Sequence, residues 1–394
     1  MNIQISDAIR YIGVNDTDID LFESQYEVPD GVSYNSYLIL DDKVALMDTV
    51  DVRKIDDWEE NLKRELAGRA VDYLVVSHLE PDHAGSIKRV IELYPDVTIV
   101  GNAKTFTMFP QFFEISLEGH SLVVKEGDTL ELGKHTLSFY MAPMVHWPEV
   151  MVTYESNEKI LFSADGFGKF GAVLTETEED WACEARRYYF NIVGKYGASV
   201  QQLLKKTAGL DIEMICPLHG PVLKDDLGYY IGLYDIWSSY KPESKGVLVA
   251  YASIHGNTKK AAEKFAEMLK DSGEEKVSLF DLSRDDMAEA IEDAFRYDRM
   301  VLVAASYDAG VFPCMQDFLN HLQSKSYQNR TVGIIENGSW APTAGKTMKS
   351  MLEVMKNITV LEPMVTIKST LKEENMSALM ELVNAVTNAG INIV

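Results

Sequence analysis

The chain has 394 residues, and its 46% hydrophobic content supplies a core for each of two or three domains, which excludes a disordered chain. Its 61 acidic residues outnumber 37 basic ones and leave a net charge of -24, a field that repels phosphate backbones and anionic headgroups, so nucleic acid and membrane surfaces are poor partners. Cys183, Cys216 and Cys314 form no C-x-x-C pair, which argues against a disulfide framework and against a cysteine-ligated zinc or iron site. The opening residues lack the basic start and apolar core of a signal peptide, and no uncharged apolar run approaches a membrane span, so a cytoplasmic location is expected.

Up to about residue 245 short strand patterns dominate. The apolar run Tyr73-Leu74-Val75-Val76 predicts a buried strand. Over 135–141, Leu137, Phe139 and Met141 alternate with Thr136, Ser138 and Tyr140, which predicts a half-buried one. Helices are expected over 55–66 and 200–210. After the polar stretch Lys241-Pro242-Glu243-Ser244-Lys245-Gly246 the pattern becomes a regular alternation of apolar strand and amphipathic helix, which places a domain boundary between residues 1–245 and 246–394. The second part opens on the strand Val247-Leu248-Val249-Ala250-Tyr251, followed by a turn and a helix with Ala262, Phe265, Ala266 and Leu269 on one face. Further strands are expected over 277–282, 300–305, 331–335 and 358–367, separated by helices over 286–294, 315–323 and 345–355. Five strands with helices between them imply a parallel, doubly wound sheet.

In the first part, Ser77-His78-Leu79-Glu80-Pro81-Asp82-His83 packs four metal-binding side chains into six residues at a strand end. Imidazole suits iron, zinc and copper, and carboxylates add charge and can bridge two ions, so this density points to a pair of metals. Three more candidates follow strands in the same way. They are His146 in Ala142-Pro143-Met144-Val145-His146-Trp147-Pro148, Asp165 in Phe162-Ser163-Ala164-Asp165-Gly166, and His219 in Ile215-Cys216-Pro217-Leu218-His219-Gly220. Any one alone reads as an ordinary turn residue; four of the chain's eight histidines at such positions weigh against chance. His120, His135 and His321 have no such setting and are expected to be solvated.

In the second part, Ser253-Ile254-His255-Gly256-Asn257-Thr258 joins the first strand to the first helix. It offers backbone N–H groups, a helix N-terminus and the hydroxyls of Ser253 and Thr258 to a phosphate, with Gly256 allowing close approach. It matches neither G-x-x-x-x-G-K-[ST] nor G-x-G-x-x-G, so a single phosphate monoester fits better than a nucleoside triphosphate or a dinucleotide; the plain alternative is an N-cap turn. In a doubly wound sheet ligands sit beyond the C-terminal strand ends, where two more loops are expected. These are Ser306-Tyr307-Asp308-Ala309-Gly310-Val311-Phe312-Pro313 and Glu336-Asn337-Gly338-Ser339-Trp340-Ala341-Pro342. Tyr307 and Trp340 are placed to flank a flat ring.

On these three loops residues 246–394 resemble the flavodoxin family. The resemblance implies FMN, its phosphate on Ser253 to Thr258 and its isoalloxazine between the other two loops, with His255 at the rim. The ordered set His78, Glu80, Asp82, His83, His146, Asp165 and His219 looks like the metallo-β-lactamase superfamily over residues 1–245. One departure stands out: hydrolases of that superfamily carry H-x-H-x-D-H, and here Glu80 replaces the second imidazole. An anionic ligand in place of a neutral one favours a redox iron pair over a zinc pair.

Together the two parts are similar to the flavodiiron proteins, also called A-type flavoproteins. The fold implied is α/β, a metallo-β-lactamase-like αββα sandwich followed by a flavodoxin-like doubly wound sheet. The resemblance gives one iron to His78, Glu80 and His146, the other to Asp82, His83 and His219, with Asp165 bridging. It implies an oxidoreductase that takes electrons through FMN and reduces dioxygen to water, nitric oxide to nitrous oxide, or both. The donor implied is a separate rubredoxin, or in some relatives a reduced deazaflavin. A head-to-tail homodimer, or a dimer of such dimers, is also implied, with the flavin of one subunit facing the irons of the other. Trp147 and Phe22 are candidates for lining a gas pocket, against the plainer reading as core. Lys259 and Lys260 are candidates for docking the donor, against a solvated helix face. Two rivals remain in view, a di-zinc hydrolase with a flavodoxin-like appendage and a non-catalytic flavin carrier; Glu80 argues against the first and the complete ligand set against the second.

Overall fold

The computed structural model describes residues 3–173 and 180–390, apart from the side chains of Ile3 and Gln4. The chain forms two compact units. One is built on the residues up to Tyr189 together with Ala198–Tyr234, the other on Phe190–Gly197 and everything from Asp235 onward.

The first unit is built on two sheets. One runs in the order Ile3–Gln4, Ile9–Tyr11, Tyr37–Leu40, Val44–Met47, Tyr73–Val75, Thr98–Asn102 and Ser121–Val124. It is antiparallel as far as Val44–Met47 and parallel beyond. The other runs Thr129–Glu131, Thr136–Met141, Met151–Glu155, Ile160–Phe162 and Met214–Cys216, with only the last pair parallel. Because side chains alternate across a strand, Tyr37, Ile39, Ala45, Met47, Val75 and Val100 share one face of the first sheet. They pack into a single core with Leu137, Phe139, Met151, Ile160 and Phe162 of the second. The opposite face of the first sheet carries the fully buried Leu38, Leu46 and Leu74, and helix Ile55–Leu66 turns Trp58, Leu62 and Leu66 inward against this layer. Helix Gly197–Thr207 reaches the second sheet, where the Lys206 ammonium donates to the Met141 carbonyl at 2.7 Å. The outcome is the sandwich expected for this part, with helix 55–66 as the pattern gives it and the next expected helix beginning at Gly197 rather than 200.

The second unit is a parallel sheet in the order Val277–Asp281, Ser244–Ala252, Tyr297–Tyr307, Arg330–Asn337 and Ile358–Val360. One face carries Val247, Val249, Val301, Val303 and Ile335 against Phe265 and Leu269 of helix Asn257–Asp271 and Leu379, Leu382 and Val386 of helix Met376–Asn388. The other face is covered by helices Met287–Arg296, Pro313–Ser324 and Ala344–Glu353. The chain leaves Ser244–Ala252 toward one side of the sheet and later fills the other, so the C-terminal end of this strand is a switch point where a doubly wound sheet opens a crevice.

Two details differ from the expected pattern. The strand expected over 358–367 is two short strands, Ile358–Val360 and Val365–Ile367, both paired with Arg330–Asn337. Pro363 falls between them, and proline has no N–H for a ladder. The loop after Tyr297–Tyr307 is also more ordered than a plain loop, since Gly310–Val311 folds back to pair antiparallel with Ser306 and Tyr307.

Candidate metal centre and ligand cavity

Four strand ends of the first unit deliver the seven residues singled out in the sequence to one place. After Tyr73–Val75 the chain turns through Ser77 and His78, and Glu80 stands at the N-cap of the short helix Pro81–Ala84, which carries Asp82 and His83. The turn is held by Asp48, at the end of the neighbouring strand, whose Oδ1 accepts the Ser77 N–H at 2.7 Å and the His78 N–H at 3.4 Å. Burial pushes the Asp48 carboxyl up to about 6. The Thr49 N–H and hydroxyl both donate to the His83 carbonyl, at 2.9 and 2.6 Å. His219 follows Met214–Cys216 and is succeeded by Gly220, whose φ of +78° favours glycine, and a Cβ there would meet Lys169 Cγ at 2.6 Å.

The donor atoms fall into two groups, His78, Glu80, His146 and Asp165 in one, and Asp82, His83 and His219 in the other. In the first, the Nε2 atoms of His78 and His146 lie 3.1 and 3.0 Å from Glu80 Oε2, and both lie 3.3 Å from Asp165 Oδ2. In the second, the Nε2 atoms of His83 and His219 lie 3.2 Å from Asp82 Oδ2, and 3.2 and 3.7 Å from Asp165 Oδ1. Asp165 thus turns one oxygen to each group. Ligands held about 2.1 Å from a tetrahedral cation stand about 3.4 Å from one another, close to this spacing.

The donor set fits a pair of cations. Among the described residues, both carboxylate oxygens of Asp82 and of Asp165 are buried and accept no hydrogen bond, and an unsatisfied buried carboxylate is costly unless a cation answers it. Burial opposes charge on His78, yet Asp165, Glu149 and Glu80 hold its pKa well above the ordinary imidazole value. His146 reaches about 9 against the same desolvation, because the carboxylates of Asp165 and Glu80 stand close to its Nε2. Burial likewise opposes ionisation of Asp165, and His78, His146 and His83 drive it well below the usual carboxylate range. The carboxylates therefore demand positive charge at the imidazole nitrogens, and protons and metal ions compete to supply it.

Supports for the imidazoles lie one layer out. His78 Nδ1 donates to Glu149 Oε1 at 2.8 Å, and the same oxygen accepts the Leu79 N–H at 2.9 Å. The Glu149 carbonyl is held in turn by Asn102 Nδ2 at 2.6 Å. His219 Nδ1 donates to the Ser33 carbonyl at 2.7 Å. Each bond fixes the tautomer that leaves Nε2 free to bind a metal. Sequence reasoning missed Glu149, Ser33 and Asp48; Glu149, three residues after His146, had one usable signal, since a ligating histidine calls for an acceptor at its other nitrogen. Phe22 lies edge-on to His219 with centroids 5.3 Å apart, and Trp147 edge-on to His78 at 5.1 Å, so both aromatics wall the centre.

His135 corrects an expectation. It is 4% exposed rather than solvated, its Nδ1 2.7 Å from Asp41 Oδ2 and its Nε2 3.2 Å from Glu158 Oε1. Its main partner stands 94 positions away, beyond the reach of any local pattern.

In the second unit a cavity of about 580 Å³ opens at the switch point. It is lined by Ile254, His255, Asn257 and Thr258 from the first loop, Ser306, Tyr307, Asp308 and Ala309 from the second, and Asn337, Gly338, Ser339, Trp340 and Ala341 from the third. Ala305, Thr343 and Ser369 complete the lining; Ser253, Gly256 and Gly310 are not part of it. Ser253 is turned to its own loop, where Oγ accepts the Gly256 N–H at 3.1 Å, and the buried Thr258 hydroxyl accepts from Asn337 Nδ2 at 3.3 Å. Trp340 is 93% exposed and Tyr307 45%, so two large rings stand bare among the lining residues of the cavity. Such an arrangement suits a flat aromatic ligand with a polar tail.

The family profile described as ODP family beta lactamase matches residues 32–220, and the one described as a flavodoxin domain matches residues 248–374. Along its length the chain is similar to a nitric oxide reductase of Moorella thermoacetica, 29% identical over 388 residues that cover 96% of each protein. It is similar also to the anaerobic nitric oxide reductase flavorubredoxin of Escherichia coli, 28% identical over 90% of this chain and 75% of that one. Among solved structures, rubredoxin oxygen:oxidoreductase from Desulfovibrio gigas superposes with a TM-score of 0.91 at 26% identity, covering 99% of this chain and 98% of the other. The chain belongs to the flavodiiron proteins.

Its cofactors are accordingly FMN and a pair of iron ions. For the flavodiiron centre, the fit lies in the unsatisfied carboxylates of Asp82 and Asp165; for FMN, it lies in the bare rings of Trp340 and Tyr307. Glu80 gives this flavodiiron chain three carboxylates against four imidazoles, an anionic set suited to the higher oxidation state of a redox metal.

Proposed function

We propose that this chain reduces dioxygen to water, nitric oxide to nitrous oxide, or both, with electrons passed through FMN from a rubredoxin-type donor. The observation that carries the reading is Asp165, which lies among both groups of donors with one oxygen turned to each. In this reading His78, Glu80 and His146 would hold one iron, Asp82, His83 and His219 would hold the other, and Asp165 would serve both. Iron held there would supply redox electrons to the gas, four per dioxygen or two per pair of nitric oxide molecules, and FMN held in the cavity would relay them from the donor.

The chain's own residues set the conditions for that chemistry. Glu149 and the Ser33 carbonyl hold the imidazoles of His78 and His219 in one tautomer and orientation. Glu80, Asp82 and Asp165 offset the charge that accumulates on oxidation. Phe22 and Trp147 keep bulk water from the centre and offer an apolar wall to a small gas. A di-zinc hydrolase is the less favoured reading, because Glu80 replaces the neutral ligand typical of that chemistry, and the named relatives reduce gases.

In the second unit, the loop Ser253 to Thr258 would receive the FMN phosphate through its cavity-lining residues Ile254, His255, Asn257 and Thr258, and Tyr307 and Trp340 would flank the ring. A rubredoxin is the donor by likeness to the Desulfovibrio and Escherichia relatives, with reduced deazaflavin the alternative. Lys259 and Lys260, both exposed beside the first loop, belong to the proposed docking patch. Lys259 stands 3.9 Å from Glu263, a weak pairing that leaves its charge available to a partner. The head-to-tail homodimer is part of this proposal, and a fully active monomer in dilute solution would refute it. No helix among the described residues is long and apolar enough to cross a membrane.

The experiment is turnover of dioxygen and nitric oxide, in parallel, by anaerobically purified protein supplied with reduced rubredoxin. Faster loss of one gas assigns the preference. Loss of neither, with iron and FMN both bound and each donor tried, would overturn the proposal.

A further inference from the structure

Ser369, in the wall of the flavin cavity, has a φ of +69°, a left-handed conformation that a residue with a Cβ adopts at a cost. Such a conformation persists where surrounding bonds over-determine it, and here one side chain does most of that. Asn337, at the end of Arg330–Asn337 and only 6% exposed, grips Ser369 from both sides. Its Oδ1 accepts the Ser369 N–H at 3.0 Å, and its Nδ2 donates to the Ser369 carbonyl at 2.9 Å. The same Nδ2 lies 3.3 Å from Thr258 Oγ1, at the start of the helix that follows the first loop. Ser369 Oγ donates to Ser339 Oγ at 2.8 Å, which ties in the loop that carries Trp340. Three segments that line the cavity therefore meet at one carboxamide, directly or through Ser369.

We propose that Asn337 is the positioning residue of the flavin cavity, assembling its walls before the ligand enters, so that FMN meets a preformed site. The inference rests on the FMN reading of the cavity. The carboxamide is required because the grip needs an acceptor and a donor on one planar group, a pairing that a carboxylate loses and a carboxylic acid regains. With Asn337→Asp, an ionised oxygen faces the Ser369 carbonyl and pushes the strained loop outward; protonation restores the donor.

The test is FMN binding to flavin-stripped full-length protein, read by quenching of flavin fluorescence between pH 5 and pH 8. Asn337→Ala should weaken FMN about tenfold at all pH values, the equivalent of about one lost hydrogen bond. Asn337→Asp should weaken it by a similar factor at pH 8. Burial at this position raises the introduced carboxyl above the usual value of about 3.9, so the variant's dissociation constant, taken relative to wild type at each pH, should fall toward the wild-type value as the pH drops to 5. Wild-type affinity in both variants would overturn the positioning role while leaving the cofactor in place. Failure of the wild-type chain to take up FMN would overturn the cofactor reading and this inference with it.

Discussion

The metal centre and the flavin cavity are built by opposite means. The first is made of side-chain atoms, His78, His83, Asp165 and His219 each at most 1% exposed, aimed inward from strand ends and surrounded by aromatic rings. The second is made of three loops at sheet ends, with their bulkiest residue, Trp340, 93% exposed. A centre that must hold charge without water needs fixed donors and outer acceptors, whereas a site for a large flat ligand needs shape and leaves part of its wall for the ligand to supply. Substitutions at the first should therefore cost metal and activity together, and substitutions at the second should cost flavin affinity and leave metal content alone.

The largest effect is expected at Asp165. Asp165→Ala removes the one residue that serves both donor groups, so iron content should fall from two toward zero and gas turnover should disappear, measured by metal analysis and oxygen or nitric oxide electrode. His83→Ala removes a donor from one group only and should lower iron content toward one per chain. Unchanged iron and activity in that variant would remove His83 from the ligand set.

Glu149→Gln comes next. It keeps the shape but weakens the acceptor at His78 Nδ1, and iron affinity or turnover should fall about 10- to 100-fold, as outer partners of ligating histidines generally show. Trp340→Ala should then weaken FMN by up to about tenfold, the worth of one aromatic stacking contact, with iron content and melting temperature as in wild type. A fall in thermal stability of the flavin-free protein would show that Trp340 packs in the fold, contrary to its exposure.

The smallest functional effect is expected at Asp41, remote from either site in its role. Burial raises the Asp41 pKa, but the His135 N–H and imidazole bonds bring it down to about 2, and the same pair raises His135 above its ordinary value against desolvation. A depressed carboxyl contributes stability above its unfolded pKa of about 3.9 that is lost as pH falls through about 2. A raised histidine contributes stability below about 6.5 that is lost as pH rises through its folded pKa. Asp41→Asn should thus cost about 2 kcal/mol between about pH 4 and 6.5, and less above, in denaturant titrations, with turnover unchanged.

How much was legible in the sequence follows from the same contrast. The seven metal-centre candidates stood out because their residue types carry the chemistry, and each followed a strand pattern. The three loops that line the cavity were legible by position, since switch-point geometry says where a crevice opens even when no motif is present. The supports were not. Glu149 and Ser33 act through one carboxylate and one carbonyl that look ordinary in a sequence, and Asp41 meets His135 only through the tertiary fold. Ser369 was hidden for a local reason: residues 358–367 read as one strand, and the break at Pro363 sets Val365–Ile367 as a separate strand whose end presents Ser369 to the cavity. Helix 55–66 was readable because Trp58, Leu62 and Leu66 fall on one face at helical spacing.

The central claim is that this set of donors holds a redox iron pair that reduces a gas. Its most direct test is to strip the metal from the full-length protein, reload separate portions with ferrous iron or with zinc, and assay both for gas reduction with reduced rubredoxin and for cleavage of thioester and phosphoester substrates. The account predicts two irons per chain and gas consumption only in the iron-loaded portion, with no ester cleavage in either. Ester cleavage by the zinc-loaded portion, with no gas consumed by the iron-loaded one, would contradict it.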